Sequence, residues 1–374
     1  MAKLLGSPKA LSISIAIAAV FVVSILGGAL GNSLGFGFLA SSLPAIQLPA
    51  EIVVQGFATP VGDWNLMNTM VTTWLAIIVL FIVALFVRRG LSETPGRLQA
   101  LFELIMEFFL NLCEGIAGPE KGRRFFPLVF TIFIFIVVAN WMGVLPGFGT
   151  VGRVADPTEI AHHHGVHDYA DPAADHGSQP ASGHEQEHSG HLENVNLHVF
   201  TGTGGIAILQ PGSLSKELTF RDYEEEHGDV GVGNRAGHLV PFLRSANTDV
   251  NMTLAMALIA MVMVHYWGLS ILGPMTHLGK FFNFKDGPTG FFVGILETIS
   301  EFAKIISFTF RLFGNIFAGE VLLMAMGFLL PMIGIIPFLG LELFVGLIQA
   351  LIFSMLTLVF ASMASVGHGD EQHH

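Results

Sequence analysis

Charge is scarce in this chain. Asp, Glu, Lys and Arg make up 12% of its 374 residues, about half the share in a soluble domain. Cations are scarcer still, 17 Lys and Arg against 29 Asp and Glu, for a formal net charge of −12. With no basic footprint for a phosphate backbone, the composition argues against nucleic-acid binding. The single cysteine, Cys113, excludes an intrachain disulfide and a Cys-based zinc site. What the chain has instead is apolar: 52% hydrophobic residues, 33 Phe, 15 Met and a mean hydropathy of +0.64. That excludes an ordinary cytosolic enzyme and a largely disordered chain. The question becomes how often the chain crosses a bilayer.

A helix needs about 20 apolar residues to span the hydrocarbon core. Residues 11–30, 70–87, 125–145, 250–272, 321–341 and 343–366 qualify, giving five or six crossings. The first follows Lys3 and Lys9 and reads as a crossing or as a signal; its apolar run outlasts a normal signal core and no clear A-x-A site follows, which favours a crossing. Basic residues crowd the loop 88–124 (Arg88, Arg89, Arg97, Lys121, Arg123, Arg124) and recur after residue 272 as Lys280 and Lys285. By the positive-inside rule both loops face the cytoplasm, residues 148–244 lie outside and the C-terminus lies inside. The expected fold class is an all-α polytopic membrane protein. Its divisions are an N-terminal apolar segment with an outside loop (1–60), two membrane helices joined by a cytoplasmic amphipathic helix (61–147), an outside insertion (148–244), a membrane helix with its cytoplasmic loop (245–290), a tilted helical hairpin (291–366) and a cytoplasmic tail (367–374).

Within the loop, Gln99, Glu103, Glu107 and Glu114 recur near helical spacing, with Phe102, Ile105, Phe109, Leu112 and Ile116 on the other face. Such a helix lies on the membrane surface or against a partner helix. The insertion differs in kind. Residues 148–244 hold 11 of the 16 His and 14 acids with few aromatics, and are expected to be mostly disordered. His162, His163, His164, His184, His188 and His191 have spacings compatible with a metal. A solvated low-complexity insertion is the plainer reading, with proton buffering or weak metal binding as the others.

Ionisable groups inside membrane segments are costly and mark function by default. The stretch 291–329 has no proline and reads as one helix of 39 residues, roughly 58 Å long against a core of about 30 Å. It must tilt strongly. Pro331 and Pro337 bracket a turn, and the arm 338–366 is again too long for an upright span. On a helical wheel Glu297, Ser300, Lys304, Ser307 and Asn315 fall within about 40° of Arg311, and Glu320 about 180° away. Glu342 and Gln349, seven apart, share a face of the second arm. Arg311 is the critical residue, because a guanidinium cannot escape the bilayer cost by losing its proton. Its flanks, Phe308-Thr309-Phe310 and Leu312-Phe313, offer no acid. It needs a carboxylate from elsewhere or a water-filled pocket. Plainer readings exist for the others: Lys304 and Glu297 fit interfacial snorkelling, Asn315 and Gln349 fit interhelical hydrogen bonding, and His265 fits the interface better than a proton relay.

The run Phe310-Arg311-Leu312-Phe313-Gly314-Asn315-Ile316-Phe317-Ala318-Gly319-Glu320 closely resembles the signature of subunit a of F-type ATP synthases. Pro95-Gly96-Arg97-Leu98-Gln99, Asn140-Trp141-Met142-Gly143-Val144-Leu145-Pro146, the run from Asp249 to Leu258, Leu341-Glu342-Leu343 and Leu347-Ile348-Gln349-Ala350 resemble other parts of that family in the same order. The resemblance implies a non-catalytic, proton-conducting stator subunit, without a cofactor, in a bacterial plasma membrane. Its implied partners are the c ring, subunit b and other Fo and F1 subunits. Arg311 would face the ring and separate two aqueous half-channels. Asn315, Glu320, Glu342 and Gln349 would line the outer one, with Glu297 and Ser307 near the cytoplasmic exit. The long insertion departs from the family pattern, and two acids at Glu320 and Glu342, where many relatives place one His, leave sodium beside protons as a coupling ion. A divalent-metal transporter with a His-rich loop is the alternative; it should carry paired His and Asp ligands within its crossings, where only His265 is found.

Overall fold

The computed structural model describes residues 8–36, 38–39, 50–59, 62–89, 96–145, 147–163, 195–201, 206–208, 217–225, 228–231, 234–279, 281 and 287–366. The chain opens with α1 (Pro8–Gly27) and the single turn α2 (Ala29–Asn32). The hairpin of β1 (Ile52–Thr59) and β2 (Gly62–Met67) feeds α3 (Asn68–Arg89), followed by α4 (Arg97–Ala117) and α5 (Pro119–Gly143). Next come β3 (Val151–Ala155), α6 (Pro157–His163), β4 (Asn196–Thr201), β5 (Ala207–Ile208), β6 (Glu217–Thr219), α7 (Phe220–Glu225) and β7 (Asn234–Pro241). The chain then runs through α8 (Val250–Leu272), α9 (Pro274–Leu278), α10 (Gly287–Leu329) and α11 (Ile335–Ala364).

Six of these helices, α1, α3, α5, α8, α10 and α11, are long and apolar enough to cross a membrane. The membrane portion is therefore all-helical. Helices α5, α8, α10 and α11 share one core, with Phe125, Met261, Phe308, Leu312 and Phe353 fully or nearly buried. Polar pins fix the packing. Asn140 Nδ2 and Trp141 Nε1 of α5 donate to the carbonyls of Gly346 and Leu343 of α11, at 3.1 and 3.0 Å. The amphipathic helix α4 lies against α5, the partner-helix outcome of the two expected. Phe109 and Cys113 are buried there, and a Cβ on Gly122 would meet the Cys113 carbonyl oxygen at 2.6 Å. Gly118, at φ +81°, makes the turn between the two helices, a conformation open to Gly at no steric cost.

Helix α10 has 43 residues, about 64 Å at 1.5 Å per residue, four residues longer at its start than the sequence suggested. Helix α11 also begins early, at Ile335. Pro337 thus sits in its first turn rather than closing the loop, because a helix's first N–H groups have no partner to lose. Ser24 Oγ of α1 accepts from the backbone N–H groups of Met332 and Ile333, at 3.2 and 3.3 Å, docking α1 on the α10–α11 turn.

The segment 148–244, expected to be mostly disordered, instead carries an antiparallel sheet in the order β5-β3-β7-β4-β6. Its register sets Arg153 opposite Val240 and Val199 opposite Ala236. Leu197, Phe220, Tyr223, Ala155, Ile160 and Val240 form a second core beneath it. The composition hid this, because a handful of apolar residues, brought together from distant strands, suffices to make a small core. Of the histidines flagged for metal, His164, His184, His188 and His191 lie outside the described residues, as does the tail 367–374, and His162 and His163 are described only as backbone at the end of α6. Arg153 ties the sheet to the hairpin, bonding Glu159 at 2.6 Å and the Ile52 carbonyl at 2.7 Å. The sheet therefore caps the end of the bundle where α3 and α8 begin and α10 ends. The basic residues Arg88, Arg123 and Arg124 and the end of α11 lie at the opposite end, called here the far side.

Candidate functional site

Along α10 the polar groups sort into three levels. At the middle stands Arg311, half-buried, with Ser307, one turn before it, exposed. Its Nη2 donates to Ser307 Oγ at 3.4 Å, one turn away. Among the described residues no carboxylate lies within ion-pair reach of it. Below it, toward the far side, a cavity of about 260 Å³ opens between α10 and α11, lined by Ser300, Lys304, Ser307, Arg311, Phe308 and Phe360 among others. Phe308 stacks on Phe353 and Phe360, with ring centroids 4.7 and 5.5 Å away, and forms its apolar wall. Of the expected polar stripe, Ser300, Lys304 and Ser307 do gather here. Glu297 is half-buried and does not line the cavity.

Just above Arg311 the two arms are tied together. Asn315 Nδ2 donates to Gln349 Oε1 at 2.7 Å, and Gln349 is 2% exposed. Asn315 thus leaves the stripe and serves the seam.

Above the seam lies the acidic level. Glu320, nine residues on from Arg311 and so about 13.5 Å along the axis, pairs with Arg244 Nε at 3.2 Å. Arg244 is 6% exposed in its side chain and Glu320 24%. Glu342 of α11 reaches across to Gly319: a Cβ on Gly319 would overlap the Glu342 carboxylate. Glycine is required there because the acid fills the space. Glu51, just before β1, completes the group. Its Oε2 accepts from Asn68 Nδ2 at 3.1 Å, while Asn68 also donates to the Pro241 carbonyl at 3.3 Å. Burial raises the Glu51 carboxyl to about 7; the nearby Arg244 pulls it down and Glu320 pushes it up. Arg244 thus pairs with Glu320 and acts on Glu51 as well.

Sequence reasoning found Arg311, Glu320, Glu342, Asn315, Gln349 and Ser307, and missed Arg244 and Glu51. A signal for Arg244 was present, as a lone cation five residues before Asp249, which caps α8 by accepting from Asn251 N at 2.9 Å. Glu51 carries none; the fold of the hairpin alone places it.

Residues 70–162 and 230–362 match the family model described as ATP synthase A chain. The chain belongs to the ATP synthase A chain family. It is also 26% identical over 328 residues to the ATP synthase subunit a of Desulforamulus reducens (strain ATCC BAA-1160 / DSM 100696 / MI-1), an alignment covering 83% of this chain and 86% of that protein. As a member of this family it is a membrane protein and a component of an ATP synthase, with the role of a proton-translocating stator subunit of the membrane sector. Membership gives no support to the metal-transporter alternative. The match omits residues 163–229, which carry β4, β5 and β6, while β3 and β7 lie within the matched ranges.

Proposed function

We propose that Arg311 faces a rotating ring of small hydrophobic c subunits and separates two offset proton half-channels in a bacterial plasma membrane, with the sheet outside and the C-terminal tail inside. The outer half-channel is the acidic level: Glu320 and Glu342 take protons from the outside, and Gln349 and Asn315 pass them toward the ring. The inner half-channel is the cavity beside Ser307, with Glu297 near its mouth. A ring carboxylate loaded from the outer level is neutral and enters lipid at low cost, whereas its ionised form could not. After nearly a full turn it reaches the inner cavity, releases its proton and is met by Arg311. The guanidinium stabilises the new carboxylate and bars a direct leak between the channels. A membrane potential of 100 mV supplies about 2.3 kcal/mol per proton to bias the cycle. ATP chemistry belongs to partner subunits, with subunit b among the other implied partners.

The observation that carries this reading is a permanent cation, half-buried on an apolar helix, with no carboxylate in reach among the described residues. The placement of basic residues on the far side supports the orientation, and the bacterial origin of the relative supports the compartment. The test is Arg311→Ala in inverted membrane vesicles. ATP-driven acidification should vanish, while ATP hydrolysis by the peripheral sector persists. Retained pumping would overturn the reading. Pumping at wild-type rate without sodium would identify the ion as the proton.

A further inference from the structure

We infer that His265, His277 and Glu301, reached from the inner cavity by way of Lys304, form the proton-release relay on the far side of the membrane. The inference rests on the half-channel reading and assigns its inner exit to residues outside the polar stripe.

The groups come from three elements. Lys304, which lines the cavity two turns below Arg311, donates to Glu301 Oε1 at 2.7 Å and lies 5.0 Å above the Phe360 ring. The other oxygen, Glu301 Oε2, faces His265 Nε2 of α8 at 3.7 Å. The opposite nitrogen of that ring, His265 Nδ1, lies 3.3 Å from His277 Nε2 of α9. His265 is therefore a bridge: it can take a proton at Nε2 and give one up at Nδ1. Phe281 closes over both rings, with centroids 6.0 and 5.8 Å away.

The pocket is shaped for the second imidazole. His277 is 4% exposed, and a Cβ on Gly268 of α8 would lie 2.5 Å from its Cε1 and 2.6 Å from its Nδ1. Helix α8 omits a side chain where that ring sits. An apolar side chain would fill the place at lower desolvation cost, so packing alone does not account for the choice.

The electrostatics suit release. Arg311 and Lys304 are fixed cations in the cavity and repel a free proton, so an acceptor with its own negative partner is needed beyond them. Glu301 supplies that charge. Two imidazoles 3.3 Å apart share one proton readily, but resist a second, because like charges at that distance disfavour each other. A proton arriving from the cavity therefore expels one toward the far side. Histidine is the side chain that exchanges protons near neutral pH without special tuning. Among the described residues, the other charged groups near the relay are Glu297 on α10, one turn before Glu301, and Arg124 of α5, whose Nη2 donates to Ser270 of α8 at 2.9 Å. The nearby end of α11 carries no charged side chain.

The experiment uses the whole complex in inverted vesicles, where the far side faces the medium and ATP-driven pumping draws protons in through the relay. The rate is followed from about pH 6 to pH 8.5. The double substitution His265→Gln, His277→Gln should lower pumping about tenfold at the alkaline end and remove the inflection in the histidine range. Imidazole added to the medium should restore part of the rate. Gly268→Ala, which displaces the His277 ring, should shift the profile the same way. A wild-type profile in both variants, or a loss equal at every pH and untouched by imidazole, overturns the relay. Arg311→Ala separates the two claims: if it abolishes pumping at every pH while the histidine variants behave as wild type, only the relay falls; if it pumps, the half-channel reading falls.

Discussion

The two arginines of the bundle interior make opposite bargains with their surroundings. Arg244, almost fully buried, is met by Glu320 at 3.2 Å, with Glu51 near enough to feel its charge. Arg311, farther down the long helix that carries Glu320 and more exposed, has Ser307 at 3.4 Å and no acid in reach among the described residues. One cation is neutralised by its own chain and can hold structure together. On the proposed reading, the other is neutralised by a carboxylate of the ring. The contrast then separates a cation held by its own chain from one that acts on a partner, although both are Arg and both lie near α10.

The largest effect should come from breaking the self-contained pair. Glu320→Gln leaves Arg244 buried without its main counter-charge, which costs about 3–5 kcal/mol. Thermal unfolding of the solubilised complex should show the loss, and adding Arg244→Gln should recover much of it. Arg311→Ala, by contrast, should leave the unfolding temperature near wild type while pumping disappears. Equal stability losses at the two arginines would erase the distinction.

A smaller effect should follow from crowding the acidic level without removing a charge. In Gly319→Ala the new methyl displaces the Glu342 carboxylate, and proton pumping should fall several-fold. Gly115→Ala on α4, where a Cβ meets nothing within 4 Å, should pump as wild type. Smallest is a pH effect on stability. The Glu51 carboxyl is raised from 4.5 to about 7, so between those values the folded state binds more protons than the unfolded one. Stability should then fall as pH rises through that window. Unfolding temperatures measured at about pH 5.5 and pH 8 should show the decline, and Glu51→Gln should flatten it.

The membrane helices were legible because a span must be about 20 apolar residues long whatever its partners. α8 was read to the residue, and the 310–320 motif pointed to the family. Helix ends were less so: Pro337 read as a stop but sits in the first turn of α11, where a missing N–H costs nothing. The sheet was not legible, because its strands are short and its core is assembled from residues as far apart as Ala155 and Val240. Long-range pairing also hid the partner of Glu320, since Arg244 is 76 positions away. Local pattern found which residues are chemically unusual, and the fold decided which of them meet.

The claim that Arg311 waits for a ring is tested most directly by cross-linking. Single cysteines replace Ser307 or Ala318, exposed positions within about 40° of Arg311 around α10, or Phe81 or Phe86 on α3, which are 64% and 70% exposed. The native Cys113 is fully buried and stays silent. With a cysteine one turn from the ring carboxylate of the small hydrophobic subunit, oxidation should join the ring to positions 307 and 318 and leave 81 and 86 unjoined. Cross-links from α3 with none from α10 would contradict the account, because the ring would then pass on the wrong side of the cation.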